Sequence, residues 1–84
     1  MVIYKYPLAL RDTQTVRMPQ GATLLDVLMQ GGGPVLYALV SKNTEIEDRR
    51  IAIYGTGHDI PRPGEYVATV SDGKFVWHIF DETR

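Results

Sequence analysis

The tetrapeptide Ser71-Asp72-Gly73-Lys74, set between the apolar runs "YVATV" and "FVWHIF", restricts this chain more than any other short stretch. Asp-Gly tolerates backbone φ above zero at both turn positions, which a tight link between right-twisted antiparallel strands requires. Residues 66–70 and 75–80 are therefore expected to pair as a hairpin. A lone hairpin is marginal in water, so further strands must cover it.

The rest of the chain supplies them. Val2 to Tyr6 alternates β-branched and aromatic residues and closes on Pro7, which suits a strand end or a sheet edge. Thr15 to Met18 reads as a short second strand ended by the turn residues Pro19-Gln20-Gly21. Residues 22–30, "ATLLDVLMQ", fit either a two-turn helix capped by Thr23 or a strand dividing into Leu25, Val27, Met29 and Leu24, Asp26, Leu28. Strand is the preferred reading, because the glycines of Gly31-Gly32-Gly33-Pro34 then form a hairpin loop into a strand over Val35 to Ser41. Lys42 to Arg50, "KNTEIEDRR", reads as an exposed connection or a single helical turn. Ile51 to Tyr54 is another strand, and Pro61, Pro63 and Gly64 exclude helix before Tyr66. The expectation is an all-β domain of about seven short strands with little or no helix, a small antiparallel barrel or sandwich.

With 84 residues the chain is a single domain over 1–84, and its core is small. There is no cysteine to add disulfides or a thiolate zinc site, and no apolar run of membrane-spanning length. A cytoplasmic protein without membrane contact is expected. Nine basic against ten acidic residues leave a formal charge of −1, which disfavours a DNA or RNA polymer as partner but not one small anion. "VLYALV" puts apolar residues on both faces, Val35, Tyr37, Leu39 opposite Leu36, Ala38, Val40, and "FVWHIF" does likewise. Burial of the outer face against another copy is expected, a homo-oligomer; the alternative is a sheet closed on itself with its outer apolar residues scattered.

Only His58 and His78 are available as imidazole ligands, with no metal-ligand spacing. No nucleophile elbow or paired catalytic carboxylates stand out, so the chain is read as a non-enzyme without cofactor or metal. The stretch Tyr54-Gly55-Thr56-Gly57-His58 is the better prospect. Two glycines around a hydroxyl residue can turn backbone N–H groups into one concavity for phosphate oxygens, with His58 adding a switchable charge. A Gly-x-Gly at a strand end is more commonly a plain turn or bulge. Arg49 and Arg50 would neutralise an anion, or form a solvated pair. Trp77 would stack a base, or fill the core, and Tyr54 adds a second ring.

The strings "IYKYPL", "MPQGATLLDVLMQGGGPVLYALV", "RIAIYGTGHDIP" and "YVATV" leading to "FVWHIFDE" together resemble a family of small domains found mainly in bacteriophages and prophages. The Tyr54-to-His58 and Val76-to-Phe80 segments carry the likeness most specifically, and Tyr37 stands where relatives have Trp. The resemblance implies a compact β domain and a viral source, and no activity. On that footing the leading expectation is a phage-encoded, non-catalytic protein that sequesters a small phosphorylated nucleotide messenger of bacterial antiviral immunity, in the cytoplasm of the infected host. Gly55, Thr56, Gly57 and His58 would hold phosphate. The alternative is a non-catalytic phage structural or host-protein-interaction module built on an apolar sheet face, and a nucleotide-cleaving enzyme using His58 stands third.

Overall fold

Seven strands carry the fold in a computed structural model that describes residues 1–83. They are β1 (Val2–Pro7), β2 (Thr13–Pro19), β3 (Thr23–Gln30), β4 (Gly33–Val40), β5 (Ile46–Gly55), β6 (Glu65–Ser71) and β7 (Val76–Asp81). Every pairing is antiparallel, in one sheet of order β1-β4-β3 and a second of order β2-β5-β7-β6. The all-β expectation holds, and of its two forms the sandwich is the one formed. No helix occurs among the described residues, so none is long and apolar enough to cross a membrane.

Alternation decides which residues meet between the sheets. Leu36, Ala38 and Val40 of β4 are fully buried against Ile51 and Ile53 of β5 and Ile79 of β7, with Met18 and Val27 completing the centre. The other face of β4 turns outward, as its two-sided apolar pattern predicts. Residues 23–30 are strand, not helix. One extra residue, Leu25, interrupts the β3–β4 register between Leu24 and Asp26. The bulge flips the alternation, so Leu24 rather than Leu25 joins Val27 and Met29 on the core side.

Both expected hairpins form. Gly31 and Gly32, at φ of 60° and 89°, make the two-residue link from β3 to β4. The β1–β4 ladder stops where Leu8 N–H donates to the Pro34 carbonyl, because Pro34 has no N–H to return the bond. In the β6–β7 hairpin the turn sits one residue later than the Asp-Gly pattern suggests. Its centre is Gly73-Lys74, with only Gly73 at positive φ, 91°. The Asp72 carboxylate causes the shift by accepting from the backbone N–H of Lys74 (2.9 Å) and of Phe75 (2.7 Å). These bonds hold that carboxyl below its usual range.

The polar stretch at 42–50 departs from expectation. Ile46 to Arg50 is strand, paired with Arg50↔Thr15 through Ile46↔Pro19, and only residues 41–45 connect. Polarity misleads here because β2 satisfies the backbone while alternation sorts the charges. Asp48 and Arg50 face solvent, and Glu47 and Arg49 turn inward. Arg49 donates to Asp81 Oδ2 from Nε (3.1 Å) and Nη2 (2.5 Å), and from Nη1 to Ala22 O (2.9 Å) and Glu47 Oε2 (3.3 Å). This ion cluster fills the side of the sandwich where β3 approaches β6, in a gap lined also by Leu24 and Val67. A polar group at that depth is tolerated because each of the three guanidinium nitrogens has a partner.

Candidate functional site

β5 ends, β7 begins and β6 ends at one edge of the four-stranded sheet, as the pairings Gly55↔Trp77 and Ser71↔Val76 require. Two connections therefore stand side by side there, the Gly55-to-His58 turn and the Asp72-to-Phe75 loop. Between them lies a cleft of about 520 Å³ lined by Gly55, Thr56, His58, Lys74, Phe75, Val76 and Trp77. Pockets of roughly 300–1,000 Å³ are of a size for small organic ligands.

The turn is closed by His58 N–H donating to Gly55 O at 3.1 Å, with Gly57 at a φ of 90° that only glycine adopts without strain. The His58 ring folds back so that Nδ1 accepts from Gly55 N–H at 3.3 Å. A neutral His58 consequently carries its proton on Nε2, which makes that atom a donor. The amides of Gly55 and His58 are thus both used inside the turn, which leaves the two successive amides of Thr56 and Gly57 to meet a ligand. Thr56 Oγ1 bonds His78 Nε2 at 2.7 Å, and the other ring nitrogen of His78 meets Thr69 Oγ1 at 3.1 Å.

The opposite wall is aromatic. Trp77 packs one side against the core, while Phe75, half-exposed, lies 5.8 Å from it at an interplanar angle of 49°. Lys74 places its ammonium 5.5 Å from the centre of the Phe75 ring, over which a cation is attracted. Trp77 Nε1 donates to Asp72 Oδ2 at 3.4 Å, which steadies the indole. The cleft thus combines an apolar floor with one ammonium, one imidazole and one hydroxyl.

Of the residues singled out in the sequence, Gly55, Thr56, His58 and Trp77 line this cleft, and Gly57 shapes its turn. Three do not come to it. Arg49 and Arg50 lie six and five residues back along β5, about 20 and 16 Å at strand rise, and alternation sends them to opposite faces. Arg49 is committed to Asp81; Arg50 faces a second cleft of about 540 Å³ at the far end of the sheet, with its Nε 3.8 Å from Glu82 Oε1. Tyr54 turns to the outer face, edge-on to Phe80, and donates to Glu82 Oε2 at 2.6 Å. That hydrogen bond, with burial and the Glu82 charge, raises the phenol above its ordinary range. Lys74 and Phe75 escape a sequence reading, since nothing local to the hairpin loop says that a turn some 17 residues earlier will lie against it. No group of three or more His, Asp or Glu side chains able to hold a metal occurs among the described residues.

Fold and site together define a two-sheet antiparallel sandwich with a mixed aromatic and cationic cleft at one strand end. The chain belongs to the family described as a domain of unknown function (DUF7352), which it matches over residues 1–84. Neither a curated protein nor a solved structure matches it.

Proposed function

We propose that this domain is a non-catalytic binding protein that takes a small phosphorylated nucleotide in the cleft between the Gly55–His58 turn and the Asp72–Phe75 loop. The observation that carries this reading is the juxtaposition of a Trp77–Phe75 aromatic wall with Lys74 and the His58 Nε2 donor around a volume of about 520 Å³. A planar base needs the first, and a phosphate needs the second. In this reading Lys74 and His58, which line the cleft, hold the phosphate in place of Arg49 and Arg50. Sequestration of a signalling nucleotide is the role proposed, in keeping with the resemblance to phage-borne domains. It asks for binding and no bond making.

Thermal melting against a panel of cyclic and linear nucleotides tests this. A ligand at 100 times its Kd adds about 2.7 kcal/mol to stability, which for a domain this small is a Tm rise on the order of 10 °C. Lys74→Ala is expected to weaken the responding nucleotide's binding about tenfold, the effect of about 1.4 kcal/mol, while leaving the unliganded Tm within a few degrees. Ligand recovered intact after heating the complex agrees with sequestration, and a cleaved ligand contradicts it. A panel without any shift, or unchanged binding in both Lys74→Ala and Trp77→Phe, sinks the reading.

A further inference from the structure

The outer face of the three-stranded sheet lies away from the cleft, so its properties are independent of nucleotide binding there. Residues paired across antiparallel strands share a face, so the registers of β1, β4 and β3 lay out three rows on that surface. They are Ile3–Leu39–Thr23, Lys5–Tyr37–Asp26 and Pro7–Val35–Leu28. The upper and lower rows are largely apolar, with Ile3 and Leu28 exposed at 59% and 45%. The middle row holds a cation on one edge strand and an anion on the other. Lys5 and Asp26 form no ion pair among the described residues, and two strand spacings, about 10 Å, separate them across Tyr37.

We propose that this face is the contact surface of a homodimer, two copies packed face to face about a two-fold axis running along β4. Such an axis exchanges the two edge strands at constant height. Lys5 of each copy then meets Asp26 of the other, Tyr37 and Leu39 meet their own counterparts, and Pro7 meets Leu28 over Val35, which is already buried within each chain. The charges also select this axis. A two-fold running across the strands would set Lys5 on Lys5 and Asp26 on Asp26, which is repulsive. Face-to-face sheets pack about 10 Å apart with strands within about 30° of alignment, which the exchange of edges permits. Three strands of about eight residues outline on the order of 400 Å², well under the roughly 800 Å² per partner of a standard interface, so the dimer is a concentration-dependent one.

Sedimentation velocity from about 5 to about 500 µM tests this, a range suited to interfaces below standard size. The wild-type chain is expected to pass from monomer to dimer within that range. Lys5→Glu and Asp26→Lys each create two like-charge contacts per dimer and are expected to weaken association at least tenfold. The doubly exchanged Lys5→Asp, Asp26→Lys chain restores both pairs and is expected to dimerise as the wild type does. When dilute, Lys5→Glu should melt as the wild type does, because Lys5 is exposed, whereas the two chains with Asp26→Lys also lose the hydrogen bond that Asp26 Oδ1 accepts from Val27 N–H (2.8 Å) and should melt a few degrees lower. A chain monomeric throughout the range overturns the proposal, as do single variants that associate like the wild type. A double variant that stays monomeric overturns the axis and with it the proposed pairing.

Discussion

Gly64→Ala is expected to lower stability by about 3 kcal/mol, the upper part of the range for overpacking. A Cβ at Gly64 would overlap the Asp81 carbonyl oxygen and stand 2.8 Å from its carbon and 3.0 Å from Glu82 Cα. All three are backbone, so no side chain can swing aside to make room. The Glu65↔Asp81 pair beside it begins the β6–β7 ladder, and Pro63 before it has a fixed φ, which limits how the approach to β6 can readjust. For a domain of this size the Tm should fall by roughly 12 to 24 °C, read by circular dichroism. A change below about 1 kcal/mol would show that the strand end yields, and the clash argument would fail.

Breaking the Arg49–Asp81 pair is expected to cost about as much. The Arg49 side chain is 12% exposed and that of Asp81 7%, and removing one partner of a buried ion pair typically costs about 3–5 kcal/mol because the other charge stays behind. Glu47 remains near Arg49, so Asp81→Asn should fall near the lower end, about 3 kcal/mol. The pH dependence separates charge from shape. Burial pushes the Asp81 carboxyl up, but hydrogen bonds from Thr83 and Arg49, with the Arg49 charge, outweigh it and leave it below its ordinary value. A carboxyl depressed on folding contributes stability that is present above the unfolded value, about 3.9, and lost as pH falls through the folded one. Denaturant unfolding of the wild type and Asp81→Asn should therefore differ most near neutrality and converge below about pH 4. A difference that stays constant down to about pH 2 would mean that Asp81 acts by shape alone.

How far such features can be read in advance varies with their range along the chain. The Gly31-Gly32 and Asp72-Gly73 hairpins are local, since a few φ values and one carboxylate decide them, and both were legible apart from the one-residue shift that Asp72 imposes. The inward face of β4 was legible because alternation needs no partner to be stated. Residues 46–50 were not. Their polarity resembles a loop, and only the pairing with β2 and the reach of Arg49 to Asp81, 32 residues away, make a strand of them. The bulge at Leu25 is equally silent in sequence, though it decides which leucine enters the core.

The candidate site divides in the same way. The turn chemistry of Gly55 to His58, including a positive φ at Gly57, follows from residues a few positions apart, and the sequence by itself determined it along with the all-β class. Which groups stand across from that turn is another matter. The antiparallel pairing of β5 with β7 brings Lys74, Phe75 and Trp77 to it, and the same pairing carries Arg49, Arg50 and the Tyr54 hydroxyl towards the other end of the sheet. Only the tertiary structure decided this, because strand order and register depend on burying one shared core, a property of all seven strands together that no single segment encodes.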